Sequence, residues 1–315
     1  MFAIRGIAVS LSIFAIVYCG ASLAVLCGWQ RLLKRAQHVP VRRLEMLLFA
    51  VRVFPLLAAV LMTIGFAVPS FLLLEPRAIV EPMGFALVAL ALSGAALVGF
   101  GAANALLVIL RTSRTIHLWT DSAEPVCSPA PFPILRIRDR VPPLIAVGIV
   151  RPKILLSGSA EFILNGNELQ TGVRHEIAHI LRRDNLKKLI LRFVSLPGMH
   201  RLDAAWIQAS EMAADEAAVS STADALDLAA ALIKLSKLTS AATPPAVSAA
   251  LIQGHASLIN ARVERLISWS EPSRTLHESS ATKWLVWIVP PAVLFATSYF
   301  SLLGCLHRVT EWLVR

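Results

Sequence analysis

Charged residues are scarce in this chain. Asp, Glu, Lys and Arg supply 16% of its 315 residues, against 56% hydrophobic residues and a mean hydropathy of +0.67. A soluble domain carries about 25% charge and about 45–50% apolar residues, so the shortage argues against an ordinary soluble protein and for a membrane one. Cysteine is also sparse. Cys19, Cys27, Cys127 and Cys305 form no C-x-x-C pair, which argues against a disulfide framework or a thiolate metal site. No internal repeat is present. The net charge of +10 would raise nucleic-acid binding in a soluble protein, but here it fits basic loops on one side of a membrane. No direct nucleic-acid contact is expected.

Four stretches have no charge at all: residues 6–30, 53–74, 82–110 and 284–306. Each reaches the roughly 20 residues that cross a hydrocarbon core as a helix. Pro55 and Pro69 are expected to kink the second span, and Arg52 at its end to snorkel. Arg31, Lys34, Arg35, Arg42 and Arg43 crowd the loop 31–52, whereas the next loop is poor in basic residues. By the positive-inside rule that loop is cytoplasmic and the N-terminus lies outside. Counting crossings then places the segment 111–283 in the cytoplasm, with a short tail, 307–315, after the fourth span.

Within 111–283 the pattern is α+β. Residues 135–138 alternate apolar and basic side chains, and 144–150 and 153–156 read as two further strands. Asn165 followed by Glu168 is a helix-start signature, opening a helix to about Arg183. Further helices are expected over about 202–220, 225–238 and 261–268, with a Pro244-Pro245 loop or lid and a polar linker, 270–282.

The first of these helices contains His175-Glu176-Ile177-Ala178-His179. Four residues advance a helix slightly past one turn, so both imidazoles project from one face and can grip one zinc ion, with Glu176 beside them as general base. Val173, Ile177 and Ile180 would pack the helix. A catalytic zinc needs a third protein ligand. Glu211-Met212-Ala213-Ala214-Asp215-Glu216 offers it: spacing favours Glu211 over Glu216, and Asp215, one turn on, is placed to accept the free N–H of a ligand histidine. His200 is a candidate oxyanion donor as well as an ordinary loop histidine. Arg183-Asp184 reads as a helix cap or brace, and Arg262 and Arg265 as facing solvent or phospholipid. If strand 144–150 lies at a sheet edge, Ala146, Val147 and Gly148 become candidates to pair with an extended substrate.

These residues resemble the BlaR/MecR-type antirepressor metallopeptidases of bacteria. The likeness rests on residues 148–156 (GIVRPKILL), 175–184 (HEIAHILRRD), 211–216 (EMAADE) and the R-x-x-R-L element at Arg262–Leu266, with three spans before the domain and one after it. The resemblance implies an α-helical membrane protein of four transmembrane helices with an inserted zincin-like, gluzincin-type endopeptidase domain. It implies one Zn2+ per chain on His175, His179 and Glu211, and Glu176 as catalytic acid/base. It further implies residence in the bacterial cytoplasmic membrane and a peptide or protein substrate, such as a winged-helix repressor. The sensor members carry a penicillin-binding domain after the last span and this sequence stops, so β-lactam sensing is not implied. Residues 196–201 also depart from the usual F-H-P-containing pattern. The competing readings are an HtpX-like quality-control peptidase and a non-catalytic membrane signalling protein.

Overall fold

The computed structural model describes residues 2–36, 39–75, 83–121, 123–127, 130–137, 142–194, 198–241 and 255–269, with a few positions between 299 and 308. The proline loop, the polar linker and nearly all of the fourth apolar run lie outside the described residues. Among the described residues, three helices are long and apolar enough to cross a membrane: α1 (Phe2–Arg35), α2 (Val41–Leu74) and α3 (Phe85–Thr120). Helix is what such sequences must form in lipid, because it satisfies every backbone polar group within the segment. Ile64, Leu73, Phe85 and Leu92 stand exposed on their outer faces, where an acyl chain is the natural neighbour. The chain is therefore a mostly helical membrane protein.

All three helices outrun the charge-free stretches, α1 by running from Phe2 to Arg35. α2 begins at Val41 rather than Val53, and α3 continues to Thr120. In α2 the reason is tertiary. Glu45 and Arg52 lie within the helix but are buried, each 1% exposed, against the domain that follows. Arg52 does not snorkel: its Nε donates to Asp203 Oδ1 at 2.6 Å. Near Pro69 the helix opens into a π-helical turn, Thr63–Ala67, a recognised source of helix bending. Proline has no N–H to offer the carbonyl four residues back. That carbonyl, on Gly65, accepts instead from the Tyr299 hydroxyl at 2.6 Å.

Small residues set how closely the helices approach. A Cβ on Gly94 of α3 would lie 2.3 Å from the Leu11 carbonyl oxygen, and one on Gly101 2.5 Å from that of Phe193. Ser12 Oγ donates to the carbonyls of Ala8 and Leu87, joining α1 to α3.

The inserted part opens with four short strands, β1 (Glu124–Val126), β2 (Ile134–Ile137), β3 (Leu144–Val147) and β4 (Lys153–Ser157), in sheet order β1-β2-β4-β3. β2 and β4 run parallel and the other pairs antiparallel, which leaves β3 on an edge. β3 stops short of the expected Val150. Gly148 turns the chain at φ +89°, where a side chain would be strained and its Cβ would meet the Arg151 carbonyl at 2.8 Å.

Among the described residues, five longer helices and one short one follow: α4 (Gly158–Ile163), α5 (Gly166–Leu181), α6 (Asp184–Phe193), α7 (His200–Ala218), α8 (Thr222–Ala241) and α9 (His255–Ile267). The capping box on α5 is present. Asn165 Oδ1 accepts from the Glu168 amide at 2.8 Å, and Glu168 Oε2 from the Asn165 amide at 2.9 Å. Val173, Ile177 and Ile180 pack α5 onto the sheet beside Ile154 and Leu156. α5 ends two residues early because Arg183 takes the left-handed conformation, φ 55°, and restarts the chain as α6, a helix the sequence pattern did not suggest. The domain shares its core with the membrane helices: Trp206, fully buried on α7, packs in one cluster with Val25, Leu48 and Val53.

Close approach at Gly94 makes a sharp prediction. Overpacking a tight contact costs about 1–3 kcal/mol. Gly94→Leu should lower the thermal midpoint of the protein in detergent. Gly99→Leu, at a position with nothing within 4 Å, should leave it unchanged.

Candidate metal centre

α5 delivers two imidazoles to one place. His175 and His179 are both buried, their rings meeting edge to face, with the Nε2 atoms 3.1 Å apart. Glu211 approaches from α7, its Oε2 3.6 Å from His175 Nε2 and its Oε1 3.6 Å from His179 Nε2. Ligand atoms from the three side chains all lie within 4.8 Å of one another. Glu216 is exposed and paired with Arg265 at 2.6 Å, so the two candidate carboxylates separate as their spacing suggests.

The outward ring nitrogens are held by carboxylates. His179 Nδ1 donates to Asp184 Oδ2 at 2.7 Å, and Ser210 Oγ donates to the same oxygen at 3.0 Å. His175 Nδ1 lies 2.9 Å from Asp215 Oδ1, the partner anticipated from spacing, although the approach is too oblique for a hydrogen bond. Asp184 is thus more than the helix brace that the sequence suggests. It opens α6 and is fully buried beneath the ligand histidine.

With each Nδ1 turned to a carboxylate, neutral rings aim two Nε2 lone pairs at each other across 3.1 Å. A proton or a metal cation between them relieves that repulsion. Zinc–nitrogen bonds of about 2.05 Å in tetrahedral geometry place two donor atoms about 3.3 Å apart. The observed spacings of 3.1, 3.6 and 3.6 Å bracket that value. Two imidazoles and a carboxylate are borderline-soft and hard donors of the kind zinc takes, so the residues present fit a zinc ion.

In the metal-free chain protons take this part. Burial works against the imidazolium of His179, but hydrogen bonds to Asp184 and Glu211 outweigh it and raise its pKa from 6.5 to about 9. His175 is raised as well: burial opposes its charge, and Asp215 and Glu211 overcome that. Burial alone would push Glu211 up, yet its hydrogen bonds to the two histidines and the Arg262 charge hold it well below the usual carboxylate range.

Arg262 was expected at the surface and is instead part of the site. Only 9% exposed, it donates through Nε and Nη2 to both oxygens of Asp215 at 2.8 and 2.6 Å, and through Nη1 to Glu211 Oε2 at 3.0 Å. The reason is α9. Its register turns Arg262 and Leu266 inward, while Glu264 stays exposed. His200 is not brought to the site. It is the exposed first residue of α7, eleven residues before Glu211, about 16 Å of helical rise away.

Glu176 faces the sheet edge. Its Oε2 accepts the Ala146 amide of β3 at 2.7 Å. Asn185, which carried no sequence signal, donates to the carbonyls of Ala146 and Gly148 at 3.2 and 3.1 Å. Val147 faces the other way, in register with Lys153 of β4. β3 is therefore an edge strand, but the outward groups of Ala146 are already engaged by two side chains.

The protonation state of the histidines gives a measurable consequence. A raised folded pKa means that the His179 contribution to stability is complete below pH 6.5 and is lost as pH rises through about 9. Metal needs the neutral ring, so zinc binding at pH 7 should release about one to two protons. Calorimetry in buffers of different ionisation enthalpy reads this number directly, and affinity should tighten between pH 6.5 and 9.

No family model matches the chain, and a search of curated proteins finds no match; the geometry of the site therefore carries the functional reading.

Proposed function

We propose that this chain is a zinc-dependent endopeptidase of the membrane that cleaves a regulator on the cytoplasmic side. The observation that carries it is the convergence of His175, His179 and Glu211, with Glu176 set between those histidines and a sheet edge. The ligand set, the base and the resemblance to BlaR/MecR-type antirepressors agree on this chemistry.

Zinc, when bound, supplies Lewis acidity that activates water and a scissile carbonyl. The residues of the chain do the rest. Glu176 takes the proton from the attacking water and delivers it to the leaving amine. Asp184 and Asp215 fix the ring orientations from behind. Arg262, anchored on Asp215, sets a permanent positive charge beside Glu211 and favours the negative charge that develops on the carbonyl oxygen. An extended peptide seated along β3 would lie within reach of Glu176, exchanging its own amide and carbonyl for the side chains that now occupy Ala146.

The excess of basic residues in the segment 31–52 favours a cytoplasmic site in a bacterial inner membrane, with four spans once residues 284–306 are included. A winged-helix repressor is the substrate class that the resemblance suggests.

Glu176→Gln removes the base and leaves the ligands in place. Cleavage should fall by about 10²–10⁴-fold while zinc stays bound. Peptide profiles of native membranes from wild type and variant, compared by mass spectrometry with zinc content measured in parallel, decide the matter. Identical profiles would sink the protease reading.

A further inference from the structure

Glu45 sits on α2, in the membrane bundle, yet is 1% exposed and surrounded by donors from the zinc-binding helices. Lys187 Nζ of α6 and Trp206 Nε1 of α7 both donate to its Oε1 at 2.9 Å. Arg182 Nη2, at the end of α5, lies 3.3 Å from its Oε2. The same two cations also face Asp184: Lys187 Nζ lies 3.4 Å from Oδ1, and Arg182 Nη2 lies 3.8 Å from Oδ2. Asp184 is fully buried, and its Oδ2 takes the His179 Nδ1 proton. Two buried carboxylates thus share two largely buried cations, and one carboxylate holds a ligand histidine.

We propose that Glu45 is a positioning residue for the zinc ligand His179, acting through Lys187, Arg182 and Asp184, so that the seating of α2 sets the affinity of the site for zinc. The inference rests on the zinc reading above and extends it to a residue of the membrane bundle.

The physics is one of partition. While Glu45 is charged it holds Lys187 and Arg182, leaving Asp184 free to polarise the His179 ring and raise its donor strength. Should the Glu45 charge be lost, both cations fall to Asp184 and draw its electron density away from Nδ1. In a low-dielectric interior little screens such a redistribution. A simple docking pair would look different. Arg52 and Asp203 form one between the same helix and α7, but Asp203 is 34% exposed and makes no contact with any ligand or its carboxylate partners among the described residues.

The test measures zinc affinity of the full chain in detergent by chelator competition. Loss of a supporting partner typically costs about 10–100-fold in metal affinity, and Glu45, one residue further out, should sit at the low end. Glu45→Gln should weaken zinc binding about tenfold. Glu45→Gln with Lys187→Met removes one of the two stray cations, the one nearer Asp184, and should recover part of that loss. Asp203→Asn, which cuts only the docking pair, should stay within about twofold of wild type.

Wild-type affinity in Glu45→Gln, or equal weakening in Asp203→Asn, overturns the proposal. A variant that does not fold leaves a second measurement, made on wild type alone. Coupling is reciprocal, so zinc must slow amide exchange in residues 41–52 of α2. Unchanged exchange there overturns the proposal too. A wild-type chain that binds no zinc sinks the peptidase reading itself, and this inference with it.

Discussion

Two ring nitrogens, 3.1 Å apart and both turned inward, impose the constraint on which the site depends. Behind them, His179 Nδ1 is hydrogen-bonded to buried Asp184 and His175 Nδ1 lies 2.9 Å from buried Asp215. Something positive has to occupy the ground between them. Glu211 supplies negative charge to that ground, and Asp184 and Asp215 supply more from behind. Four acidic groups, counting Glu176, cluster around two imidazoles in an interior where unpaired charge is costly. A divalent ion or bound protons can balance such a cluster. Arg262 offsets the rest, because its guanidinium binds Asp215 and Glu211 at once.

Each part of the cluster arrives by an ordinary local device. A capping box starts α5 in the right register, a stripe of valine and isoleucine seats it on the sheet, and a left-handed Arg183 turns the chain so that Asp184 lies beneath His179. α7 is held by Trp206, whose ring is buried among residues of α1 and α2. The site is thus built on rigid helices rather than on loops, which is how ligand atoms keep their spacing.

How much of this could be read in advance follows the range of the interactions. Helix α5, its cap, both histidines, Glu176 and the choice of Glu211 over Glu216 follow from spacing within one or two turns, which any sequence displays. Three of the four strands, β2, β3 and β4, were legible for the same reason, from alternation and from Gly148. Arg262, Asp184, Asn185 and Glu45 were not. Each acts on a partner distant in sequence or across a turn, and each looks by itself like a surface charge or a cap. Charge also misled at the membrane boundary. Arg52 looked like the water-side limit of a span, whereas it and Glu45 are buried by a domain that folds against the helix.

The π-helical turn of α2 has a consequence in time. The carbonyl it frees, on Gly65, finds its hydroxyl partner on Tyr299, 234 residues later. Ser70, just beyond the turn, donates to the Leu303 carbonyl at 3.2 Å. A ribosome adds roughly 5–20 residues per second, so the Gly65 carbonyl waits some tens of seconds for that hydroxyl during synthesis. Throughout that interval the first three helices are inserted but their bundle is unfinished. The segment that carries His175, His179 and Glu211 is synthesised inside this window, and Tyr299 and Leu303 join the bundle only after it.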